Sequence, residues 1–431
     1  MTEQVTYINT RGAIRHVVLL LPLALALLGA WFSARWYLGD TIAENLDPDN
    51  RGIETARMAA GLAPDDPLAH WMVAEIELRM LPPDQINQAI AEYEQATRLS
   101  PNDYRFWLSL GRALEQSGDP DKGELAMRRA VELAPSYSFP RWYLGNLLLR
   151  SGHEAEGFAE LRRASEAYSE LRPQVFSLVW QVYRENPKEL ASAIGPSVAA
   201  RAEFAKYLID LGQLDDGIRM WNGLNAKEKN ESRITGQAIM KSLLEARHFR
   251  RALDLWNDLA PEGAERARVG QIIDGGCELG TSADASPFGW QIKSTRQAQV
   301  TFDAGSHHSG AHSLRILFQA PGKMQSSVAQ LVTIEPGTQY DLECFLKTHQ
   351  LASAGSPVVE VVDAADGAVL GASNPAPSDD NDWQPIAITF KTGPKAEAIV
   401  IHITRASCGD NAVCPIFGDV WYDDFNLKRR S

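Results

Sequence analysis

A period of 34 residues runs through the first half of the chain and limits what that half can fold into. Leu110-Gly111 recurs as Leu144-Gly145, Gly118 as Gly152, Gly123 as Gly157 and Ala130 as Ala164, always at the same offset. A sequence that repeats itself at this period builds one supersecondary unit per copy, and each unit can bury its apolar face only by stacking on a neighbour. The small residues allow two helices to approach closely. Gly118 and Gly152 permit a tight turn, and Pro135 stops a second helix.

This pattern resembles the tetratricopeptide repeat, a helix–turn–helix unit with a Leu-Gly pair in its first helix and a Pro after its second. The resemblance is strongest over residues 67–170. An upstream copy carries Ala89, Tyr93, Ala96 and Pro101, with a turn, "MLPPDQIN", longer by about three residues. Before it, Ala56, Ala59 and Pro64 suit another second helix, whose partner would be the extension of the N-terminal apolar segment. We therefore expect tetratricopeptide repeats over 41–170. Residues 171–264 keep the apolar 3–4 spacing but lose the consensus, and Gly217 and Trp221 recur as Ala252 and Trp256. They are expected to form degenerate helical repeats, with Pro187 and Pro196 bracketing a short irregular helix.

The segment "VVLLLPLALALLGAWFSA", Val17 to Ala34, carries no charge over 18 residues. That approaches the ~20 residues a helix needs to span a bilayer. Arg11 and Arg15 precede it, Trp31, Trp36 and Tyr37 sit where an interfacial belt would lie, and Asp40, Glu44, Asp47 and Asp49 follow. The positive-inside rule then gives a cytoplasmic tail, 1–15, a transmembrane helix, 16–38, and an extracytoplasmic remainder. The expected location is the inner membrane, single-pass, with the bulk of the chain periplasmic. Cleavage at Ala24-Leu25-Ala26 would leave a short apolar core and an apolar stub, which favours an uncleaved anchor. The formal net charge is −13, with no basic block before the terminal "LKRRS". That disfavours nucleic acid as a partner.

After "LAPEGAERARVG" the character changes to short alternating segments between turn residues, the pattern of a β-sandwich. "SLRILF", "YDLECFLK", "PVVEVVDA", "PIAITFKT" and "DVWYDDFNL" are examples. In "YDLECFLK", Tyr340, Leu342, Cys344 and Leu346 share one face, and Glu343, Phe345 and Lys347 the other. The order of "DGGCELG", Gly289-Trp290, "HSGAHSLRI", "IEPGTQYDLECFLKT", "DWQPIAITFKT" and "GDVWYDDFNL" resembles the jelly-roll, galactose-binding-like fold of carbohydrate-binding modules. Cys277 departs from it, standing where the family usually has an aromatic. The expected architecture is thus one transmembrane helix, an all-α repeat solenoid, and an all-β jelly-roll domain over 265–431.

His307, His308 and His312 crowd one short stretch. Gly310 and the β-pattern argue against a helix that would bring 308 and 312 together, so a loop entering a strand is the expected reading, with His312 on the face of Leu314 and Ile316. The family resemblance implies instead a structural calcium held by Glu278 and by Asp423 or Asp424, with carbonyls of the 303–309 loop; oxygen ligands suit that hard cation. No cofactor is otherwise required. The resemblance also implies glycan contact, for which Phe345, Lys347, His402 and Tyr422 are candidates, with Trp383, Trp421, Glu343 and Asp424 beside them. Trp290 and Trp383 occupy positions that such folds often bury.

Cys408 and Cys414 flank "GDNAV" and are placed to close a small ring, whereas Cys277 and Cys344 either pair or stay as buried thiols. A disulfide fits an oxidising compartment. Nothing in the repeats assembles a nucleophile with its base, and glycoside hydrolysis would need two carboxylates across a cleft. The expected function is a non-enzymatic membrane scaffold. Its helical groove would take a protein partner, and its β-domain would touch glycan or protein in surface-polysaccharide assembly or export. The alternative is an adhesion or assembly factor whose β-domain does not bind sugar.

Overall fold

The computed structural model describes residues 13–47, 49, 52–80, 86–260, 266–279, 286–295, 298–319, 328–408 and 414–430. Residues 1–12 of the expected cytoplasmic tail and residues 81–85 of the lengthened turn lie outside them. The chain divides into two compact units, Met1–Ser197 and Val198–Ser431.

In the first unit, helix α1 (Ala13–Glu44) includes Pro22 and is unbroken along its length, and α2 (Ile53–Leu62) packs against its C-terminal part. Antiparallel pairs follow: α3 (Pro67–Met80) with α4 (Ile86–Leu99), α5 (Tyr104–Gln116) with α6 (Pro120–Leu133), and α7 (Ser138–Arg150) with α8 (Glu154–Ala167). The α5/α6 and α7/α8 pairs close where glycines allow. A Cβ on Gly145 would lie 2.9 Å from the Gly157 carbonyl oxygen, and one on Gly157 equally close to that of Gly145. Gly111 and Gly123 repeat the arrangement at 3.0 and 2.9 Å. Gly118 and Gly152 adopt φ of 91° and 81° in the turns, a left-handed conformation that a side chain would strain. Pro120 opens α6 behind Asp119, whose carboxylate accepts from the Lys122 N–H.

The first repeat is the one whose partner helix the sequence left indirect. Trp36-Tyr37-Leu38-Gly39 on α1 has the same residues as Trp142-Tyr143-Leu144-Gly145 on α7. A Cβ on Gly39 would lie 2.7 Å from the Ala63 Cβ and 2.8 Å from the Ala59 carbonyl oxygen. The C-terminal part of the apolar helix is therefore the first helix of the first repeat. A buried polar network ties the next repeats: Trp71 Nε1 donates to Ser109 Oγ (3.0 Å), and Ser109 Oγ and Tyr93 OH donate to Glu75 Oε1 (3.0 and 2.9 Å). The unit ends with α9 (Arg172–Tyr183) and α10 (Pro187–Ile194), the latter opened by Pro187 as expected.

In the second unit, α11 (Val198–Asp210), α12 (Leu214–Asn222), α13 (Ala226–Glu231), α14 (Arg233–Glu245) and α15 (Phe249–Leu259) precede two antiparallel sheets. The first sheet has the order β1 (Gln291–Ile292), β4 (Val328–Thr333), β9 (Ala398–Arg405), β6 (Pro357–Asp363), β7 (Val369–Ala372). The second has β2 (Ala298–Asp303), β3 (Ser313–Phe318), β10 (Ile416–Arg429), β5 (Gln339–Ser353), β8 (Asp379–Lys391). Their inner faces meet in one core that includes Trp290, Leu314, Ile316, Leu342, Cys344, Ile401 and Val420.

The helices and the sandwich share contacts that explain why they form one unit. Glu397 Oε2 accepts from the Arg250 N–H at the start of α15 (3.1 Å), and the Arg250 guanidinium donates to Ile334 O (2.7 Å) and Glu335 Oε2 (2.6 Å). Phe288, Ile273 and Leu331 pack into the core of the degenerate repeats with Trp221 and Leu255. A solenoid end needs its last apolar face covered. Here strands and loops of the sandwich cover it.

Candidate functional site

The outer face of the second sheet gathers most of the candidate residues. On β5 the alternation holds as expected: Tyr340, Leu342, Cys344 and Leu346 are buried, while Glu343, Phe345 and Lys347 face outward and are half-buried. Strand register puts Phe345 opposite Asp423 of β10 and Pro385 of β8, and Lys347 opposite Trp421. Over this face lies the 305–312 loop. The His308 ring stacks on Phe345 with centroids 3.6 Å apart, and its edge meets Trp383 at 5.7 Å. Trp383 is half-exposed here, not the core residue that its position suggested. Lys347 is 3.5 Å from Asp382, and Glu343 pairs with Lys428. Trp421 is largely covered: Nε1 donates to Asp303 (2.7 Å), and the Arg315 guanidinium lies 5.5 Å from its ring centroid, itself bonded to Asp419 (2.8 Å).

Two of the expected glycan residues lie elsewhere. Tyr422 is fully buried in the core between Cys344 and Phe425, so no ligand can reach it. Its hydroxyl has no partner among the described residues, and burial pushes its pKa upward. His402 is on β9 of the other sheet, 3.1 Å from Glu360, and cannot meet Phe345 or Lys347 at one ligand.

The loop is fastened by the carboxylates expected to hold a cation. Asp423 is buried, and its Oδ2 accepts from the N–H groups of His308 (2.7 Å) and Ser309 (3.2 Å), its Oδ1 from the Asp424 N–H (2.7 Å). Asp424 accepts from Ser309 Oγ (2.7 Å) and meets His308 Nδ1 at 2.6 Å. Glu278 accepts from the N–H groups of Ala311 (2.8 Å) and His312 (3.4 Å), and meets His312 Nδ1 at 3.3 Å. Gly310 is needed here: at φ 62°, a Cβ would lie 1.7 Å from Glu278 Oε1. His312 is consequently turned to Glu278 and half-exposed, off the face of Leu314 and Ile316.

Burial raises the pKa of Asp423, whereas the Ala311 N–H chiefly holds that of Glu278 below the usual range. As arranged, these residues do not fit a calcium ion. Every carboxylate oxygen of Glu278, Asp423 and Asp424 already faces an N–H, O–H or imidazole donor, and no group of three metal-ligating side chains converges among the described residues. Imidazoles and main-chain N–H groups stand where oxygen ligands and a cation would be needed.

This clasp makes a prediction. Calcium or a chelator is expected to leave the melting temperature of the β-domain unchanged, while Glu278→Gln lowers it. Because the folded Glu278 pKa is depressed, its stabilisation is present above the ordinary value of 4.5 and is lost as pH falls through the lowered one. The difference between wild type and Glu278→Gln should therefore shrink in acid. Calorimetry across pH, with and without calcium, checks both points, and a calcium-dependent rise would restore the ion.

Cys408 and Cys414 are disulfide-bonded, and Cys277 and Cys344 are free and buried. Sequence reading placed His308 in a loop before the strand but did not pair it with Phe345. Its signal was present in the His-Ser-Gly turn, but only the fold reveals which ring it covers.

Comparison with known proteins agrees with the repeats. The tetratricopeptide repeat family matches residues 84–138. Among solved structures, MamA (residues 41 to the end) from Desulfovibrio magneticus RS-1 is 21% identical, covering 32% of this chain and 76% of that one, with a TM-score of 0.28. A CBM4 structure is 15% identical over 37% of this chain and 100% of its own length, at TM-score 0.28. The CBM22-1–GH10 modules of Clostridium thermocellum xylanase 10B, complexed with xylohexaose, are 14% identical over 37% of this chain and 28% of that one, at TM-score 0.26. No curated protein sequence matches significantly. Residues 84–138 thus carry a tetratricopeptide-repeat match within the helical part, and the β-domain is a sandwich of two antiparallel sheets.

Proposed function

We propose that this scaffold is anchored in the inner membrane by α1, with its repeats and β-domain in the periplasm, and that it serves surface-polysaccharide assembly or export without catalysing a reaction. Within α1, Leu20–Glu44 is long and apolar enough to cross a bilayer, and its large side chains from Leu20 to Leu38 are exposed. The Cys408–Cys414 disulfide suits an oxidising compartment. The repeats hold a protein partner, and the β-domain contacts polysaccharide through the outer face of its second sheet.

The observation that carries the glycan reading is the cluster of Phe345, His308 and Trp383, rimmed by Lys347 and Asp382. Aromatic faces for the apolar side of a sugar, with polar groups at their edge, are what such a site needs. The same cluster supports the second reading, an adhesion or assembly factor without glycan binding, because His308 already covers the Phe345 ring. A glycan array probed with the full-length protein in detergent separates them. We expect binding to an acidic or neutral polysaccharide that falls at least about tenfold in Phe345→Ala/Trp383→Ala, a loss of ~1.4 kcal/mol or more. Absence of binding to every glycan would leave the second reading standing.

A further inference from the structure

The repeats fix which edge of the solenoid lies level with the apolar segment. Because α1 is one helix, no linker separates that segment from the first repeat. Arg35 donates to the carbonyls of Leu62 (3.0 Å) and Gly61 (2.6 Å), so the end of α2 lies beside Arg35, toward the apolar part of α1. Each later repeat reproduces this pairing, so each turn from a second helix into the next first helix lies on that same edge. A recurring bond marks it. His70 Nε2 meets Pro64 O at 3.0 Å, Trp107 Nε1 donates to Pro101 O at 2.9 Å, and Arg141 Nε donates to Pro135 O at 3.0 Å.

This edge carries exposed aromatic side chains. Tyr137, Phe139 and Tyr168 are 56%, 53% and 45% exposed. Tyr137 lies 5.1 Å from Tyr104, and Phe139 lies 6.3 Å from Tyr168. The stretch from Ala134 to Pro140 has no charged residue, and the flanking arginines are paired, Arg105 with Asp103 and Arg141 with Glu160. Tyr137 stands eight residues before Gly145, as Trp31 stands eight before Gly39. With the same rise per residue, each aromatic stands at about the same distance from that glycine along the first helix of its own repeat. Trp31, 67% exposed, lies near the end of the apolar run, which closes at Ala34. Aromatic rings at that level favour the membrane–water interface.

We propose that this edge of the solenoid rests on the lipid headgroup layer, with Tyr137, Phe139 and Tyr168 in the interface. The repeats are then held edge-on to the bilayer instead of hanging free below it. This rests on the reading of α1 as a membrane anchor. With its arginines paired, the edge engages zwitterionic lipid and needs no anionic headgroup.

The test uses the full-length protein in phosphatidylcholine nanodiscs, with spin labels on single introduced cysteines. Leu27→Cys reports the anchor, Ser136→Cys the aromatic edge, and Ser151→Cys the opposite edge. We expect the Ser136 label to be severalfold less accessible to an aqueous nickel chelate than the Ser151 label. Adding Tyr137→Ser, Phe139→Ser and Tyr168→Ser should remove that difference. Equal accessibility at 136 and 151, with the Leu27 label in lipid, overturns the proposal while leaving the anchor intact. A Leu27 label that reads water overturns both. Shielding of Ser136 that persists in detergent and grows with protein concentration assigns the edge to a second copy, and equally overturns it. The wild-type comparison of 136 with 151 needs no aromatic variant to fold.

Discussion

Gly275→Ala is expected to destabilise the β-sandwich by about 3 kcal/mol, at the upper end of what an overpacked site usually costs. A Cβ at this position would lie 2.1 Å from the Phe425 carbonyl oxygen, and Gly275 O itself accepts from the Phe425 N–H at 2.8 Å. The obstacle is backbone on both sides, so rotamer changes cannot relieve it. The strand that would have to move is β10, paired with β3 on one side and β5 on the other, at the irregularity between Asp423 and Asn426. Asp424 there already adopts φ 52°. Displacing this segment should also loosen Asp423 from the His308 and Ser309 N–H groups. Amide exchange in full-length protein checks it: peptides over 305–318 and 416–429 should lose protection together. Protection unchanged to within a few tenths of a kcal/mol would mean that the contact is not closed as described.

Gly39→Leu should have an effect of similar size in the other unit, again about 3 kcal/mol by overpacking. Its neighbours are the Ala63 Cβ at 2.7 Å, the Ala59 carbonyl oxygen at 2.8 Å and the Ala63 nitrogen at 2.9 Å. A leucine cannot enter that space, so α2 must separate from α1 and the small-residue contact of Ala43 and Ala59 is lost. Exchange should rise across 53–62, while α7 and α8, which carry their own Gly145–Gly157 contact, keep their protection. A uniform rise through all repeats would show instead that the solenoid unfolds as one cooperative unit.

Much of this arrangement could be read from the residues. Leu-Gly pairs at a fixed offset located the repeats, and Gly118 and Gly152 located their turns. The strand "SLRILF" coincides with β3, and the alternation of "YDLECFLK" assigned both faces of β5 correctly. The first repeat was harder, because Trp36 to Gly39 continues an apolar run and its membrane signal masks its repeat signal. Tyr422 was misplaced for a different reason. In "VWYDDF" two aromatics adjoin, so composition does not say which faces inward, and the irregularity after Asp423 breaks the alternation beyond it. His402 was grouped with residues of another sheet because strand order follows pairing, which one sequence does not display. The His308–Phe345 stack joins residues far apart in the chain and depends on the loop being fastened by Asp423 and Asp424.

The unpaired cysteines have a practical consequence. Cys277 and Cys344 are 0% and 1% exposed, and burial raises the pKa of both thiols. Thiolate is the reactive form, so neither should react with an alkylating reagent while the sandwich is closed. Each becomes modifiable only when the domain opens. The protein thus carries an internal clock for its own unfolding: with reagent in such excess that alkylation outpaces reclosing, the rate at which mass is added reads the opening rate of the β-domain, without a foreign dye. The same protection leaves these two thiols silent when a new surface cysteine is labelled.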